Sequence, residues 1–296
     1  MESVSNPKIS IVLPCYNGAS MLPRAIDSCI SQIFTDWELI IVNDCSIDDT
    51  LKVATDYSKR DSRIRVVSNE KNLKLPATLN HGFRLARGTY YTWTSDDNIM
   101  HPDMLQVLSD YLDVHDDIAL VASDFVNADE TGKEKDICRF EGDLNVLIPL
   151  NDYVGFSFMY RADVAKTIGE YDESLFLVED YEYWLRIWKD HKIVRIDDVL
   201  YTRCMHDKSL TATRKNDIAA RLLDLRLMYL DVFEERLRRY PKQRAILYNR
   251  IVDQLHGSKK RHYLFHFGKK QPFSFLARYL LVHYPNSMLK KLLKKE

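Results

Sequence analysis

The 296-residue chain lacks the long apolar runs and the cysteine spacings that mark two large classes of protein. No run of about 18 apolar residues is present, so the sequence predicts no membrane-spanning helix. The five cysteines are scattered, odd in number and without a Cys-x-x-Cys pair. This argues against a disulfide framework or a zinc site and favours a reducing compartment. The chain starts with a polar segment that leads directly into a predicted strand, and we therefore expect no secretory signal peptide.

The net charge is only −1 at pH 7, yet the charges are unevenly distributed along the chain. Residues 214–296 contain 20 Lys and Arg against 7 Asp and Glu, whereas residues 1–213 contain 22 against 36. Such an asymmetry predicts that the basic segment meets an anionic surface. A solvated basic helical face is the alternative that charge alone leaves open.

Apolar runs alternate with helical patterns along the first 125 residues. Predicted strands cover 9–13, 38–42, 64–67, 90–94 and 118–123, and predicted helices cover 21–32, 48–59, 76–87 and 102–115. Strands that alternate with helices of this length are typical of βαβ units. We therefore predict an α/β fold with a mostly parallel central sheet.

The pattern is less regular after the fifth predicted strand. It indicates a hairpin turn at 129–133, a loop at 141–149, a strand at 156–160, a helix at 162–168, a helix within 176–189, and short strands at 193–196 and 199–202. From residue 216 onward the pattern becomes helical and basic. We therefore place a domain boundary near Thr213 and predict a basic helical C-terminal extension over 214–296.

Two adjacent carboxylates, Asp96 and Asp97, follow the predicted strand that ends at Thr94. Open α/β sheets bind ligands at the C-terminal ends of their strands, and adjacent carboxylates repel each other unless a cation neutralises them. Oxygen ligands at such a place suit Mg²⁺ or Mn²⁺ bridging to a diphosphate. A helix N-terminus, where Asp and Asn are preferred caps, is the alternative.

The first predicted strand leads into Pro14, Cys15, Tyr16 and Asn17, with no Gly-x-Gly-x-x-Gly pattern behind it. A dinucleotide-binding fold would hold pyrophosphate on a glycine-rich helix N-terminus at this point. The sequence offers a single glycine there, so the charge of a bound diphosphate would be met by a metal ion and by basic side chains. A turn and an aromatic ring can also bracket a planar base, although core packing of Tyr16 is the alternative.

Taken together, these motifs resemble those of family 2 glycosyltransferases with a GT-A fold. The resemblance covers about residues 8–210 and is carried by Leu-Pro-Cys-Tyr-Asn at 13–17, by residues 37–50 and by Ser-Asp-Asp-Asn at 95–98. The last motif is similar to the Thr-Asp-Asp-Asn form found in some members of the family.

The resemblance implies a GT-A domain over 1–213, with a nucleotide-binding half at about 1–125 and an acceptor half at about 126–213. It also implies inverting transfer from a nucleotide-activated sugar, usually UDP-linked, with a divalent metal, Mn²⁺ or Mg²⁺. Nucleotide-sugar-binding roles are implied for Pro14, Tyr16, Asn17, Asp44, Lys74, Ser95 and Asp96.

Two of these residues have a specific expected contact. Asp44 would accept a hydrogen bond from a uracil imide N–H, with an N-cap or Asx turn as the alternative. Asp96 would contact the ribose or the metal's waters and is a second candidate ligand, while Asp97 is the expected direct metal ligand. The metal would act as a Lewis acid on the leaving diphosphate.

The acceptor side of the reaction needs a carboxylate base. The resemblance places it at Asp180, with Glu179 as the fallback, and the alternative is favourable pairing of both carboxylates with a helix dipole. His206 lies in a segment similar to the family's Tyr-Arg-x-His-x-x-Ser, although one extra residue separates it from Arg203. His206 is a candidate ligand of the metal or of the donor diphosphate.

The C-terminal segment interleaves basic and aromatic residues over 259–270 and ends in a lysine-rich stretch at 289–295. Basic amphipathic helices with aromatic faces bind anionic lipid, so we expect peripheral contact with the inner face of the cytoplasmic membrane. Packing into a helical bundle or a homo-oligomer is the alternative. No nucleic-acid fold signature is present, and the Gln-x-x-Arg-Trp motif of processive synthases is absent.

The sequence therefore predicts a cytoplasmic, metal-dependent hexosyl- or N-acetylhexosaminyltransferase. We expect it to move a single sugar to a hydroxyl of a saccharide or lipid-linked acceptor in polysaccharide or glycoconjugate synthesis. A nucleotidyltransferase and a catalytically inactive nucleotide-sugar-binding protein are the alternatives. The first would normally have a glycine-rich basic loop after the first strand, and retention of both Asp97 and Asp180 counts against the second.

Overall fold

The computed structural model describes residues 6–270. Its nine strands are β1 Ile9–Cys15, β2 Trp37–Asn43, β3 Ile64–Ser68, β4 Tyr90–Trp93, β5 Ile99–Met100, β6 Ile118–Asp129, β7 Glu134–Cys138, β8 Phe158–Arg161 and β9 Lys192–Met205. Its α-helices are α1 Leu22–Ile30, α2 Thr50–Ser58, α3 Leu75–Leu85, α4 Met104–Val114, α5 Leu144–Leu147, α6 Ala162–Ile168, α7 Glu179–Asp190, α8 Leu210–Thr213, α9 Lys215–Met228, α10 Leu230–Arg236, α11 Pro241–Gln254 and α12 Gly257–Lys270.

The strands form one sheet in the order β3-β2-β1-β4-β8-β6-β9-β5, with β7 paired to β6. Strands β1 to β4 are mutually parallel, as is the β6–β9 pair. The pairs β4–β8, β6–β8, β6–β7 and β5–β9 are antiparallel. The expectation of a mostly parallel sheet is therefore correct only for the first four strands, and the complete sheet is mixed. A hairpin can join antiparallel strands only, and the turn at 129–133 forms such a hairpin between β6 and β7.

The core lies on both faces of the parallel strands, which explains their continuous apolar runs. Every residue of β1 and β2 is buried. On one face, Ile11 and Leu13 pack in a cluster that includes residues of α1 and α4. On the other face, α3 approaches β1 so closely that a Cβ on Gly82 would lie 2.5 Å from Val12 Cγ1.

One strand was not predicted, and two local predictions need correction. The two-residue strand β5, which pairs with β9, had no sequence signal. The predicted loop at 141–149 contains the short helix α5. The two short strands expected at 193–196 and 199–202 are one strand, β9, whose register against β6 shifts between Ser123 and Asp124. The helix predicted at 162–168 is confirmed as α6.

The chain divides into two compact units. The first comprises residues up to Asn145 and Asp152–Ile218, and it contains the whole sheet. The second comprises Val146–Asn151 and the chain from Ala219 on, and its described part is helical. Within the second unit, Arg250 Nη1 donates a hydrogen bond to the Leu150 carbonyl at 2.6 Å, which ties the short early segment to α11.

Among residues 6–270, no helix combines the length and the apolar character needed to span a membrane. The segment expected to end the basic extension, residues 271–296, lies outside the described residues.

Candidate active site

The loops that follow β1 and β2 are hydrogen-bonded to each other. The Asp44 N–H donates to the Cys15 carbonyl at 2.9 Å, and the Asn17 N–H donates to Ser46 Oγ at 3.0 Å. Asn17 Oδ1 accepts from the Ile47 N–H at 2.9 Å, and its φ of 53° is one that Asn tolerates better than most residues. The predicted residue Asn17 therefore shapes the loop pair through its own side chain.

Two further predicted residues, Pro14 near the end of β1 and Tyr16 directly after it, differ in exposure. Pro14 is buried within β1, where it is in register with Val42 of β2. Tyr16 is 49% exposed, so its ring is not part of the core. The alternative of a core tyrosine is therefore wrong, and the ring is available to a planar ligand, whereas Pro14 supports the strand end.

Asp44 is buried at the end of β2 and its carboxylate is largely occupied within the chain. Oδ1 accepts from Asn69 Nδ2 at 2.8 Å and from the Leu73 N–H at 2.7 Å, while Oδ2 accepts from the Lys74 N–H at 3.0 Å. Asp44 therefore organises the loop before α3 rather than capping α2. One lone pair of Oδ2 has no hydrogen bond to the described residues, which leaves capacity for one further donor.

Lys74 is exposed directly before α3 and has φ 73° and ψ 169°. This conformation is strained for a residue with a Cβ, and such strain persists only where surrounding contacts impose it. The hydrogen bond from its N–H to Asp44 is one of these contacts. The structure thus couples two predicted nucleotide-binding residues, Asp44 and Lys74, through the backbone of one loop.

Asp96 packs against the loop after β1. A Cβ on Gly18 would lie 2.0 Å from Asp96 Oδ2, so only glycine permits this approach. Burial and the charge of Asp97 raise the pKa of Asp96 to about 7, although a hydrogen bond from the Tyr16 N–H opposes the shift. Ser95 lies in the turn before it, where its carbonyl accepts a 3.5 Å hydrogen bond from the Asn98 N–H. Asp96 thus faces the loop after β1, which contains the predicted nucleotide-binding residues Tyr16 and Asn17.

Asp97 and His206 meet although they are far apart in sequence. Asp97 Oδ2 lies 2.9 Å from His206 Nε2, and Asp97 Oδ1 is buried with no hydrogen-bond partner among the described residues. An unpaired buried carboxylate oxygen is costly unless a ligand satisfies it. A carboxylate and an imidazole are together a suitable donor pair for Mn²⁺.

Three residues without an assigned role hold this pair in place. Arg24 Nη2 donates to the Asp97 carbonyl at 3.0 Å. Asn98 Oδ1 accepts from the Cys204 N–H at 2.9 Å, and Tyr201 Oη lies 2.6 Å from Thr94 Oγ1. The contact of Arg24 joins the Asp97 loop to α1, and the other two join it to the end of β9. Asn98 and Tyr201 belong to motifs visible in the sequence, although neither had an assigned role, whereas no motif there pointed to Arg24.

Within the part of the chain that the structure describes, no three His, Cys, Asp or Glu side chains are arranged to hold a metal. A cation bound at this site would therefore have two protein ligands, Asp97 and His206. This suits a cation that keeps water and substrate phosphate oxygens in its coordination shell, as Mg²⁺ does in many phosphate-binding sites.

A second group of carboxylates surrounds the start of α7. Asp180 Oδ1 accepts from the Tyr181 N–H at 2.6 Å, while Glu179 is buried and its Oε2 has no hydrogen-bond partner among the described residues. Burial raises the pKa of Asp180, and burial together with the Asp180 charge raises the pKa of Glu179. Both carboxylates are therefore easier to protonate than a solvated carboxylate.

Sequence reasoning missed a third carboxylate in this group, Asp152. Its Oδ1 accepts from the N–H groups of Val154 and Gly155 at 3.0 and 3.3 Å. Burial and the charge of Asp180 raise the pKa of Asp152, while the Arg195 charge lowers it. Asp152 lies in an irregular stretch with no motif, so only the folded chain brings it to Asp180.

Comparisons with known proteins agree with the arrangement. The family described as glycosyl transferase family 2 matches residues 10–169. The chain belongs to this family. It is thus a glycosyltransferase by family, and the first four strands and both carboxylate groups lie in a fold of the GT-A-like type.

The sequence identity of this chain to individual relatives is low. The uncharacterized protein y4gI of Sinorhizobium fredii is 30% identical over 205 residues, which is 67% of this chain but only 22% of that protein. The uncharacterized glycosyltransferase RT0329 of Rickettsia typhi is 26% identical over 231 residues, or 73% of this chain and 70% of the relative.

Two solved structures share the fold. Residues 1–349 of TarS from S. aureus, in complex with UDP-GlcNAc, match with a TM-score of 0.63 at 16% identity, over 90% of this chain and 75% of that one. The mannosyltransferase PcManGT from Pyrobaculum calidifontis, in complex with GDP-Man and Mn²⁺, matches with a TM-score of 0.61 at 14% identity, over 99% and 89%.

Proposed function

We propose that the chain is an inverting, metal-dependent transferase that moves one sugar from a UDP-sugar to a hydroxyl group of an acceptor. The observation that carries the proposal is the buried, unpaired Oδ1 of Asp97 beside His206 at the strand ends. A cation bound there satisfies that oxygen, and Asp96 beside it faces the nucleotide loop.

Asp97 and His206 would hold Mn²⁺ or Mg²⁺, with Asp96 on the ribose or on the metal's waters. When bound, the cation acts as a Lewis acid that stabilises negative charge on the departing diphosphate. The side chain of Tyr16 covers the nucleobase, and Lys74 adds positive charge near the donor. Ser95 shapes the turn that presents both carboxylates.

The preference for UDP rests on Asp44. Its Oδ2 can accept one more hydrogen bond, and a uracil imide N–H is a suitable donor. The neighbouring structures include complexes with UDP-GlcNAc and with GDP-Man, so the fold accommodates both nucleotides and the choice falls to local contacts such as this one.

Asp180 is the proposed base. It takes the proton of the acceptor hydroxyl while the acceptor oxygen attacks the anomeric carbon from the face opposite the leaving diphosphate. Its raised pKa brings it nearer the pH at which a carboxylate accepts a proton effectively. Glu179, with one unpaired oxygen, is the fallback base.

Transfer is assigned to residues 1–213, and the segment from 214 on is proposed to bring the enzyme to a lipid-linked or saccharide acceptor at the inner face of the membrane. Helix α12 exposes Phe265 (68%) together with Lys259 and Arg261. Phe267, by contrast, is buried and stacks on Tyr248 at 3.8 Å. The ring of Phe267 is therefore packed inside the second unit, whereas the side chain of Phe265 is exposed beside basic residues.

The membrane proposal is tested by liposome flotation of the full chain with and without acidic phospholipid. We expect flotation only with acidic lipid and weakening by salt, because surface charges are screened within about 8–10 Å. Flotation that ignores lipid charge, with a Phe265→Ser variant indistinguishable from wild type, would contradict it. A homo-oligomer formed by the same segment would appear instead as a concentration-dependent sedimentation coefficient.

The function is tested by a donor screen that measures nucleotide release from UDP-, GDP- and dTDP-sugars with Mn²⁺. We expect UDP release that stops when EDTA is added and returns with Mn²⁺. Release of GDP or dTDP alone would refute the UDP assignment, and EDTA-resistant release would refute the metal assignment.

A further inference from the structure

A cavity of about 340 Å³ opens in the first unit beside the hairpin of β6 and β7 and the register shift of β9. Its lining includes Phe140 and Glu141 after β7, Asp124 of β6, and Arg195 of β9. The volume falls within the range of about 300–1,000 Å³ typical of small-molecule sites. None of the residues assigned to the donor or to the metal lines it.

The floor of the cavity is a buried ion pair and is electrically neutral. Arg195 and Asp124 form an ion pair of 3.0 Å in which both side chains are almost fully buried. Arg195 also donates to the carbonyls of Tyr153 and Val154, and its guanidinium lies 4.6 Å from the ring centroid of Phe140. Phe140 is thus held in a fixed position at the cavity wall.

The rim, by contrast, carries charges that are not used within the chain. Arg139, Glu141 and Asp197 are exposed and line the cavity. In the described residues none of the three forms an ion pair or a side-chain hydrogen bond. Donor and acceptor groups of the rim are therefore both free to bind a ligand.

This lining selects one chemical class of ligand. Three carboxylates against two guanidinium groups disfavour an anion such as a nucleotide, and an apolar ligand would bury free charges without partners. A pyranose ring fits, because each hydroxyl both donates and accepts a hydrogen bond. Its C–H groups also match the negative face of an aromatic ring.

The cavity communicates with the proposed base through one residue. Arg195 at the floor donates to the Tyr153 and Val154 carbonyls, directly after Asp152. Asp152 in turn is close enough to both Arg195 and Asp180 for each charge to shift its pKa, in addition to the larger effect of burial. Arg195 therefore connects the cavity to the segment that carries Asp152, whose pKa responds to the charge of the proposed base.

We propose that this cavity is a subsite for a neutral pyranoside unit of the acceptor, bound by Arg139 and Asp197 against Phe140. The assignment deepens the proposed function and rests on it, since a subsite for the acceptor has meaning only if the chain transfers sugars. It makes the acceptor a saccharide whose bound unit carries no phosphate or carboxylate.

The test is saturation-transfer NMR of the full chain with four single-ring probes at millimolar concentration. The probes are methyl β-D-glucopyranoside, methyl β-D-galactopyranoside, methyl α-D-mannopyranoside and the methyl β-glycoside of N-acetylglucosamine. We expect saturable binding of at least one probe, weakened about tenfold by Arg139→Ala and by Asp197→Ala, the loss typical of one hydrogen bond to a charged group.

Matched controls are Lys135→Ala and Asp198→Ala, which remove exposed charges of the same sign on β7 and β9 but outside the lining. Both should bind the probe as the wild type does. Absence of saturable binding for all four probes, or equal binding by all four variants, would overturn the proposal.

UDP affinity, measured by calorimetry on the same samples, separates this proposal from the function it rests on. Probe binding that depends on Arg139 and Asp197, in a protein that binds no UDP, would refute the proposed UDP-sugar transferase while upholding a saccharide site. UDP binding without any probe binding would support the proposed donor site and refute the saccharide subsite.

Discussion

Asp44 at the end of β2 and Glu179 at the start of α7 are both buried carboxylates, yet their hydrogen bonding differs. Asp44 accepts three hydrogen bonds and fixes a loop. Glu179 has an oxygen without a partner among the described residues, and burial raises the pKa values of both Glu179 and Asp180. Asp97, with its unpaired Oδ1, resembles the second group.

This difference in hydrogen bonding distinguishes carboxylates that stabilise the structure of the site from carboxylates that bind a ligand or a proton. A buried oxygen without a partner destabilises the fold and is retained where a ligand or a proton satisfies it. Removing a carboxylate of the first kind should therefore cost stability, whereas removing one of the second kind should cost activity. Four substitutions test this contrast.

The largest effect is expected for Asp97→Ala. The variant should lose Mn²⁺-dependent UDP binding and reduce transfer by about 10³–10⁵-fold, because metal stabilisation of the leaving group contributes several kcal/mol. Calorimetry of UDP with Mn²⁺ and with EDTA measures it. Asp103→Ala, an exposed carboxylate nearby in sequence, is the control, and Mn²⁺-dependent binding equal in both variants would remove Asp97 from the metal site.

Asp180→Asn should lower transfer by about 10²–10⁴-fold, the range for one positioned proton acceptor, while UDP affinity stays unchanged. It should also raise the melting temperature, since it removes a charge from the buried group around Glu179 and Asp152. Asp190→Asn at the other end of α7 is the matched control. Near wild-type turnover would move the search for the base to Glu179.

Asp44→Asn should act in the opposite way, by destabilising the protein by about 1–3 kcal/mol. The amide would present a donor to N–H groups that now donate to a carboxylate, so the loop that holds Lys74 should loosen and UDP affinity should fall. Denaturant unfolding and calorimetry measure the two effects, with the exposed Asp49→Asn as control. A loss of UDP affinity at unchanged stability would mark Asp44 as a base-recognition residue without a structural role.

The smallest effect concerns the pH dependence of stability. Burial and the Asp180 charge raise the pKa of Glu179 above its unfolded value, so the folded state binds the proton more tightly. Its contribution to stability is present at low pH and is lost as pH rises from the unfolded pKa through the folded one. Glu179→Gln should therefore gain about 2–4 °C over wild type at pH 8 relative to pH 5. A pH-independent difference would contradict the shift.

Much of the donor side could be predicted from sequence because its residues follow strands directly. The apolar runs before Tyr16, Asp44 and Asp96 predicted where each strand ends, and parallel strands bring those ends to one edge of the sheet. His206, the candidate ligand of the metal or of the donor diphosphate, lies 2.9 Å from Asp97, and its role as a ligand stays a prediction. The role of Asp44 was less visible, since its partners Asn69, Leu73 and Lys74 come from a later loop.

The mixed sheet shows where sequence patterns lose information. Alternation of apolar and polar residues identifies a strand but does not give its direction or its neighbour. Strand β8 inserts between β4 and β6, and β9 continues through a register shift that the sequence presented as a break between two strands.

Local periodicity and short motifs are enough to predict the family, the order of the first strands and helices, and the carboxylates that follow them. The folded chain alone shows which of those carboxylates are hydrogen-bonded and which have an oxygen without a partner among residues 6–270. It also brought Asp152 to Asp180 and gathered Arg139, Arg195 and Asp197 around one cavity. Burial and hydrogen bonding set the pKa and the reactivity of each carboxyl group. Both depend on residues that are far apart along the chain.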